Sequence, residues 1–135
     1  MAAFLFKTEP SVYSFADLER ERRAVWDGVS NALALIHLRR VKKGDRVVIY
    51  HTGSEKQVVG LAVATSEAYP DPKLRDPKRV VVNLEPDHRL PKPVSLSTFR
   101  TDPVLRTVDL VRLPRLSVMA LTAAHLERVL RLAGD

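Results

Sequence analysis

The chain has 135 residues, 45% of them hydrophobic and 28% charged, which suits one soluble folded unit with a real core and excludes a disordered chain. It contains no cysteine, so disulfides and thiolate metal sites are excluded. Twenty-two Lys and Arg against sixteen Asp and Glu give a net charge of +6, which favours a polyanionic partner, nucleic acid first.

Phe4–Phe6 is a short apolar run closed by Lys7-Thr8-Glu9-Pro10. It predicts a first strand, because Pro10 keeps Glu9 out of a helix and stops strand pairing. Lys7, Thr8 and Glu9 are then expected at the strand exit. The first ten residues lack a basic leader and a long apolar core, so no secretory signal is expected. No apolar run approaches the ~20 residues of a membrane span, so no membrane partner is expected, and the absence of cysteine fits a cytoplasmic protein. Ser14 and Asp17 form a capping pair for a helix over Phe15 to Arg23. Its run of Glu and Arg is a solvated face.

Val25 to Asn31 follows as an irregular segment and holds Trp26, the only tryptophan. A flat ring beside Asp27, Gly28 and Asn31 offers a stacking face, hydrogen-bonding groups and close backbone approach. The same residues also read as a core tryptophan ahead of an Asp-Gly turn. Ala32 to Val41 predicts a helix that is apolar nearly all round through Leu33, Leu35, Ile36 and Leu38, and therefore buried or part of a contact. Arg39 and Arg40 in its last turn, with Lys42 and Lys43 just after it, are the expected phosphate-binding set.

Arg46–His51 and Gln57–Ala64 are β-branched runs around a Thr-Gly-Ser turn, and predict a hairpin. Gly60 inside the second run suggests a bulge or a close backbone approach. Arg79–Glu85 predicts another strand, and Pro86–Pro93 a loop. Ser95–Arg100 predicts a short helix stopped by Asp102-Pro103. Val108–Leu113 and Pro114–Ala120 read as extended. Thr122 caps a last helix with Leu126, Val129, Leu130 and Ala133 on one face and Gly134 at its end. Sequential strands with short connections favour an α+β fold, a small, mostly antiparallel barrel with helices outside.

The four histidines lack metal-ligand spacing, and neither a phosphate loop nor a nucleophile elbow is present. No metal and no cofactor are therefore expected. Lys7, Glu9, Trp26, Asp27, Asn31, Tyr50, His51 and Ser117 remain as candidates, several at strand ends or in irregular segments, where a barrel displays a pocket.

Taken together, Phe4-Leu-Phe-Lys-Thr-Glu-Pro-Ser-Val-Tyr-Ser-Phe15, Val25-Trp-Asp-Gly-Val29 with Asn31, Lys42-Lys-Gly-Asp45 with Tyr50-His51, Ala68-Tyr-Pro-Asp-Pro72 and Leu116-Ser-Val-Met119 resemble the EVE domain family of the thymocyte nuclear protein type. The resemblance runs from Phe4 to Leu132. It implies a PUA-like fold over residues 1–135, a small β-barrel with peripheral helices. It also implies a non-enzymatic reader of nucleic acid, DNA or RNA, that takes a modified base, especially modified cytosine, into a pocket. The implied pocket residues are Lys7, Thr8 and Glu9; Trp26, Asp27, Gly28 and Val29; Asn31; Tyr50 and His51; and Ser117 and Val118. Ser30, Ala32, Leu33 and Leu35 stand where the family commonly has a polar series, and Ala120 where it often has proline. A monomer is the favoured state. Two rival readings stand beside this one. One is an ASCH-like ribonuclease using Lys7, Glu9, Tyr50 and His51. The other is a module that binds RNA or protein without taking up a base.

Overall fold

Seven strands and five helices follow in chain order in the computed structural model, which describes residues 1–135. They are β1 (Ala3–Thr8), α1 (Phe15–Glu21), β2 (Ala24–Trp26), α2 (Ala32–Arg39), β3 (Arg46–His51), β4 (Gln57–Ala64) and β5 (Tyr69–Pro70). After these come β6 (Val80–Ser95), α3 (Leu96–Thr101), α4 (Asp109–Arg112), β7 (Val118–Leu121) and α5 (Ala123–Leu132). The strands form one sheet in the order β2-β6-β4-β3-β1-β7, with β5 attached to β6. Only β1 and β3 run parallel, from Ala3 beside Arg46 to Thr8 beside His51. The other pairings are antiparallel.

The sheet curls into a half-barrel. Trp26 on β2 touches Phe6 on β1, although β6, β4 and β3 lie between these strands in the sheet. Helix α2 packs against both β6 and β7 and so spans the open side. A single cluster of 37 buried apolar residues fills the interior. This is the expected α+β, PUA-like arrangement. No helix is long and apolar enough to cross a membrane.

Local chemistry explains most element boundaries. Ser14 and Asp17 make the predicted reciprocal cap: Ser14 Oγ accepts from Asp17 N at 3.1 Å, and Asp17 Oδ2 accepts from Ser14 N at 2.8 Å. Helix α1 stops at Glu21, two residues early, because Arg22 turns left-handed at φ 70° and its N–H closes on Leu18 O. Asn31 caps α2, whose Ala34, Leu35 and Leu38 are buried while Leu33 and Ile36 lie on the outer face. Thr122 caps α5, and His125 completes the reciprocal cap.

The β3–β4 hairpin forms as predicted, with a register shift between Ile49 and Tyr50. Gly60 provides the close approach: a Cβ there would stand 2.6 Å from Phe15 Cδ1, and closer to Cε1 and Cζ.

Four sequence expectations are corrected. Lys7 and Thr8 are still within β1, not beyond it. Ala24–Trp26 is a short strand, because it finds a partner in Val82–Leu84. Pro86–Pro93 is not a loop: β6 runs on through it to Ser95. Pro91 and Pro93 fit because the ladder with β4 jumps from Arg89 to Val94, leaving them in the interruption, where no ladder N–H is required. Val108–Leu113 is not extended. Asp109–Arg112 forms one helical turn, too short to reveal a helical period.

Candidate nucleic-acid interface

A cleft of about 640 Å³ opens where the end of β1, the end of α1 and β2 converge. Lys7 and Thr8 reach it from β1, Tyr13 from the following turn, Glu21 and Arg23 from the close of α1, and Trp26, Asp27 and Gly28 from β2 and its exit. The left-handed Arg22 makes this possible, since it swings the chain from α1 directly into β2. Gly28, at φ 78°, makes the second turn. No atom lies within 4 Å of where its Cβ would be, so backbone conformation rather than space calls for glycine.

Trp26 is a core residue with one border on the cleft. It is 8% exposed. Its ring tilts against Phe6 at 5.6 Å between centroids and takes Tyr13 nearly edge-on at 6.1 Å. The Tyr13 hydroxyl donates to Glu21 Oε1 at 2.7 Å, which orients that carboxylate. Burial first, then the Glu21 carboxylate, pushes the Tyr13 phenol up, so the donor keeps its proton. Thr8 Oγ1 donates to Tyr13 O at 2.6 Å and ties down the turn that carries the ring.

Lys7 Nζ donates to Pro114 O at 2.8 Å and lies 5.9 Å from the Tyr50 ring centroid. Partial burial pushes its pKa down. Two cations, Lys7 and Arg23, thus face two carboxylates, Glu21 and Asp27, and the lining carries no net formal charge.

The other candidates are placed elsewhere. The Glu9 carboxylate turns back to accept from Ser11 N at 2.9 Å and Ser11 Oγ at 3.1 Å. Val29 is buried, and its carbonyl accepts from Arg79 Nε at 2.9 Å. Asn31 Oδ1 accepts from Ala34 N at 3.0 Å as the helix cap. Tyr50 is buried beside Lys7, and burial pushes its phenol up. His51, only 5% exposed, lies beneath the start of α1. Its Nε2 accepts from Phe15 N at 3.0 Å, so the proton sits on Nδ1 and is donated to Glu55 Oε1 at 2.9 Å. Ser117 O accepts from Lys7 N at 2.9 Å, and Val118 is core on β7 opposite Phe6.

The basic set also divides. Arg39 Nη2 donates to Lys78 O at 2.9 Å, Arg40 projects into solvent and Lys42 pairs loosely with Glu67 at 3.8 Å. Lys43 alone of the four lines a groove that adjoins the cleft. Ser30, Ala32, Leu33 and Leu35 all lie outside the cleft, on the surface around α2 or beneath it.

Sequence reasoning missed Tyr13, Glu21 and Arg23. Tyr13 lies within the Ser-Val-Tyr-Ser stretch, and Arg23 closely precedes the tryptophan block. No periodicity, however, pairs a tyrosine with a glutamate eight residues on across a helix and its turn.

The chain matches the model of the EVE domain over residues 2–132. A Rhodopseudomonas palustris protein solved by NMR superposes with a TM-score of 0.93 at 35% identity, covering 99% of this chain and 94% of that one. The human THYN1 protein, solved in complex with 5-methylcytosine-containing DNA, superposes with a TM-score of 0.89 at 25% identity, over 100% of this chain and 99% of that one. Mouse thymocyte nuclear protein 1 is 28% identical, over 96% of this chain and 72% of its own length. By the reach of the family match and the fold shared end to end, the chain belongs to the EVE domain family.

Proposed function

We propose that residues 1–135 act as one nucleic-acid-binding module that takes a single base, a modified cytosine, into the cleft beside Trp26. The observation that carries this reading is the lining itself. An aromatic border from Trp26 and Tyr13 stands next to acceptor-only carboxylates on Glu21 and Asp27 and donors on Lys7 and Arg23. A nucleobase needs such a border to stack on and such edge partners to replace its pairing partner. The human relative bound to 5-methylcytosine-containing DNA supports the same reading. Binding is favoured over ribonuclease chemistry. The His51 ring is hydrogen-bonded at both nitrogens within the fold, to Phe15 N–H and to Glu55, and neither His51 nor Glu9 lines the cleft.

Trp26 tests the proposal. Base stacking contributes roughly 1–3 kcal/mol. Trp26→Ala should erase discrimination between 5-methylcytosine and cytosine in matched oligonucleotides, leaving weak, salt-sensitive binding. Because removing a buried Trp costs about 3–5 kcal/mol of stability, Trp26→Phe serves as the folded intermediate case. Unchanged discrimination in both folded variants would assign Trp26 to the core alone.

A further inference from the structure

The cleft has a neighbour across β2. A groove of about 510 Å³ shares Arg23, Ala24 and Val25 with it, so the two compartments meet along this short strand. The remaining walls come from distant parts of the chain: Lys43 before β3, Thr65 after β4, and Asn83 and Glu85 on β6.

The chemistry of the groove differs from that of the cleft. Arg23 and Lys43 are exposed, and neither takes part in an ion pair. Asn83 Oδ1 is occupied by the Tyr69 hydroxyl at 2.5 Å, which leaves the amide N–H groups as its free function. Thr65 adds a hydroxyl. Against two cations and these neutral donors stands one carboxylate, Glu85. The groove therefore carries a net positive formal charge and an excess of donors, whereas the cleft is balanced and bordered by aromatic rings. Between them Val25 is 52% exposed and forms an apolar ridge.

A nucleotide has the same division. Its base is flat and uncharged, its phosphodiester is anionic and accepts hydrogen bonds only, and a sugar joins the two. We propose that this groove is a phosphodiester site, holding the phosphate next to the base in the cleft, with the sugar crossing at Val25. The inference rests on the base-binding reading above and adds to it the path of the strand. Arg23 stands at the junction and serves both compartments. Lys43 belongs to the groove alone.

The test is the salt dependence of binding to single-stranded DNA carrying one 5-methylcytosine. Losing one phosphate contact lowers the slope of log K against log salt by about 0.7. Lys43→Ala should show that loss while keeping its preference for 5-methylcytosine over cytosine. Binding of the free nucleoside, 5-methylcytidine, which has no phosphate, should be unchanged. Arg131→Ala, which removes an exposed charge on α5, controls for net charge and should keep the full slope. A Lys43→Ala slope equal to that of Arg131→Ala would overturn the groove. Failure of the base reading is separately visible, as wild-type protein without any preference between the two cytosines; the slopes then judge the groove by themselves.

Discussion

Replacing Gly60 with alanine is the sharpest test of the packing beneath the start of α1. Gly60 lies on β4 under the ring of Phe15, the first residue of α1. Carbon atoms pack best at ~3.5–4.0 Å, yet the added methyl would meet Phe15 Cδ1 at 2.6 Å and two other ring atoms closer still. The ring must retreat by about an ångström. Phe15 is fully buried, and Arg89 lies 5.5 Å from its centroid on the cation–π side. Its backbone N–H is also held by His51 Nε2. Overpacking of this kind costs about 1–3 kcal/mol, and the tight fit places Gly60→Ala at about 3. With ~2.1 cal/mol/K of unfolding entropy per residue, each kcal/mol moves the midpoint of this 135-residue chain by about 3.5 °C. Gly60→Ala should therefore lower Tm by about 10 °C, with a matching shift in urea midpoint and an unchanged urea m-value. In a Phe15→Leu background the same methyl should cost much less, since the two positions share one volume. A Gly60→Ala variant within about 0.5 kcal/mol of wild type would refute the reasoning.

Further outcomes are expected for the ligand and for pH. The cleft lining carries no net formal charge, so a carboxylate brought into it meets Glu21 and Asp27 as well as Lys7 and Arg23 and must be desolvated at a cost of several kcal/mol, whereas a buried methyl gains about 0.8 kcal/mol. Competition with matched oligonucleotides should therefore find 5-methylcytosine bound at least as well as 5-carboxylcytosine, and a clear preference for the carboxyl form would show Lys7 or Arg23 pairing with it. His88 is hydrogen-bonded to Asp87 at 3.2 Å and to Asp135 at 2.8 Å, and these bonds hold its imidazole above the ordinary 6.5. A raised folded pKa adds stability that is complete below the unfolded value and fades as pH rises through the folded one. Urea midpoints should thus show a small decline above about pH 6.5 that His88→Gln abolishes; identical pH profiles for the two proteins would contradict it.

What the sequence revealed depended on how local each signal was. The β3–β4 hairpin, the Ser14–Asp17 cap and the α5 cap at Thr122 each rest on a few adjacent residues, and each formed as read. The polyproline stretch of β6 was opaque. Its strand character comes from pairing with β4, and Pro91 and Pro93 are tolerated through a register jump that no local pattern encodes. The site behaved the same way. Trp26, Asp27 and Lys7 stood out by residue type, and the cleft collects them. His51 and Asn31 stood out equally, but their polar atoms go to the N-termini of α1 and α2. A side chain's hydrogen-bonding capacity is visible in sequence; the backbone group that claims it appears only when a distant element arrives. The departures after Trp26 illustrate this too, because Ser30, Ala32, Leu33 and Leu35 follow the turn at Gly28 away from the cleft.

Every residue that lines the cleft lies between Lys7 and Gly28. This is part of the crossover that the parallel pairing of β1 and β3 requires, and it is one uninterrupted stretch of chain. The cleft lining is therefore modular in a way the groove across β2 is not. Exchanging residues 7–28 between relatives would transplant the entire lining, while β3, β4, β6 and the closing helices stay in place as a chassis. The groove draws on four separated segments and cannot be moved so easily. Variation confined to these 22 consecutive positions would alter the whole cleft lining, yet of the groove's walls it reaches only the shared Arg23–Val25 edge and leaves Lys43, Thr65, Asn83 and Glu85 in place.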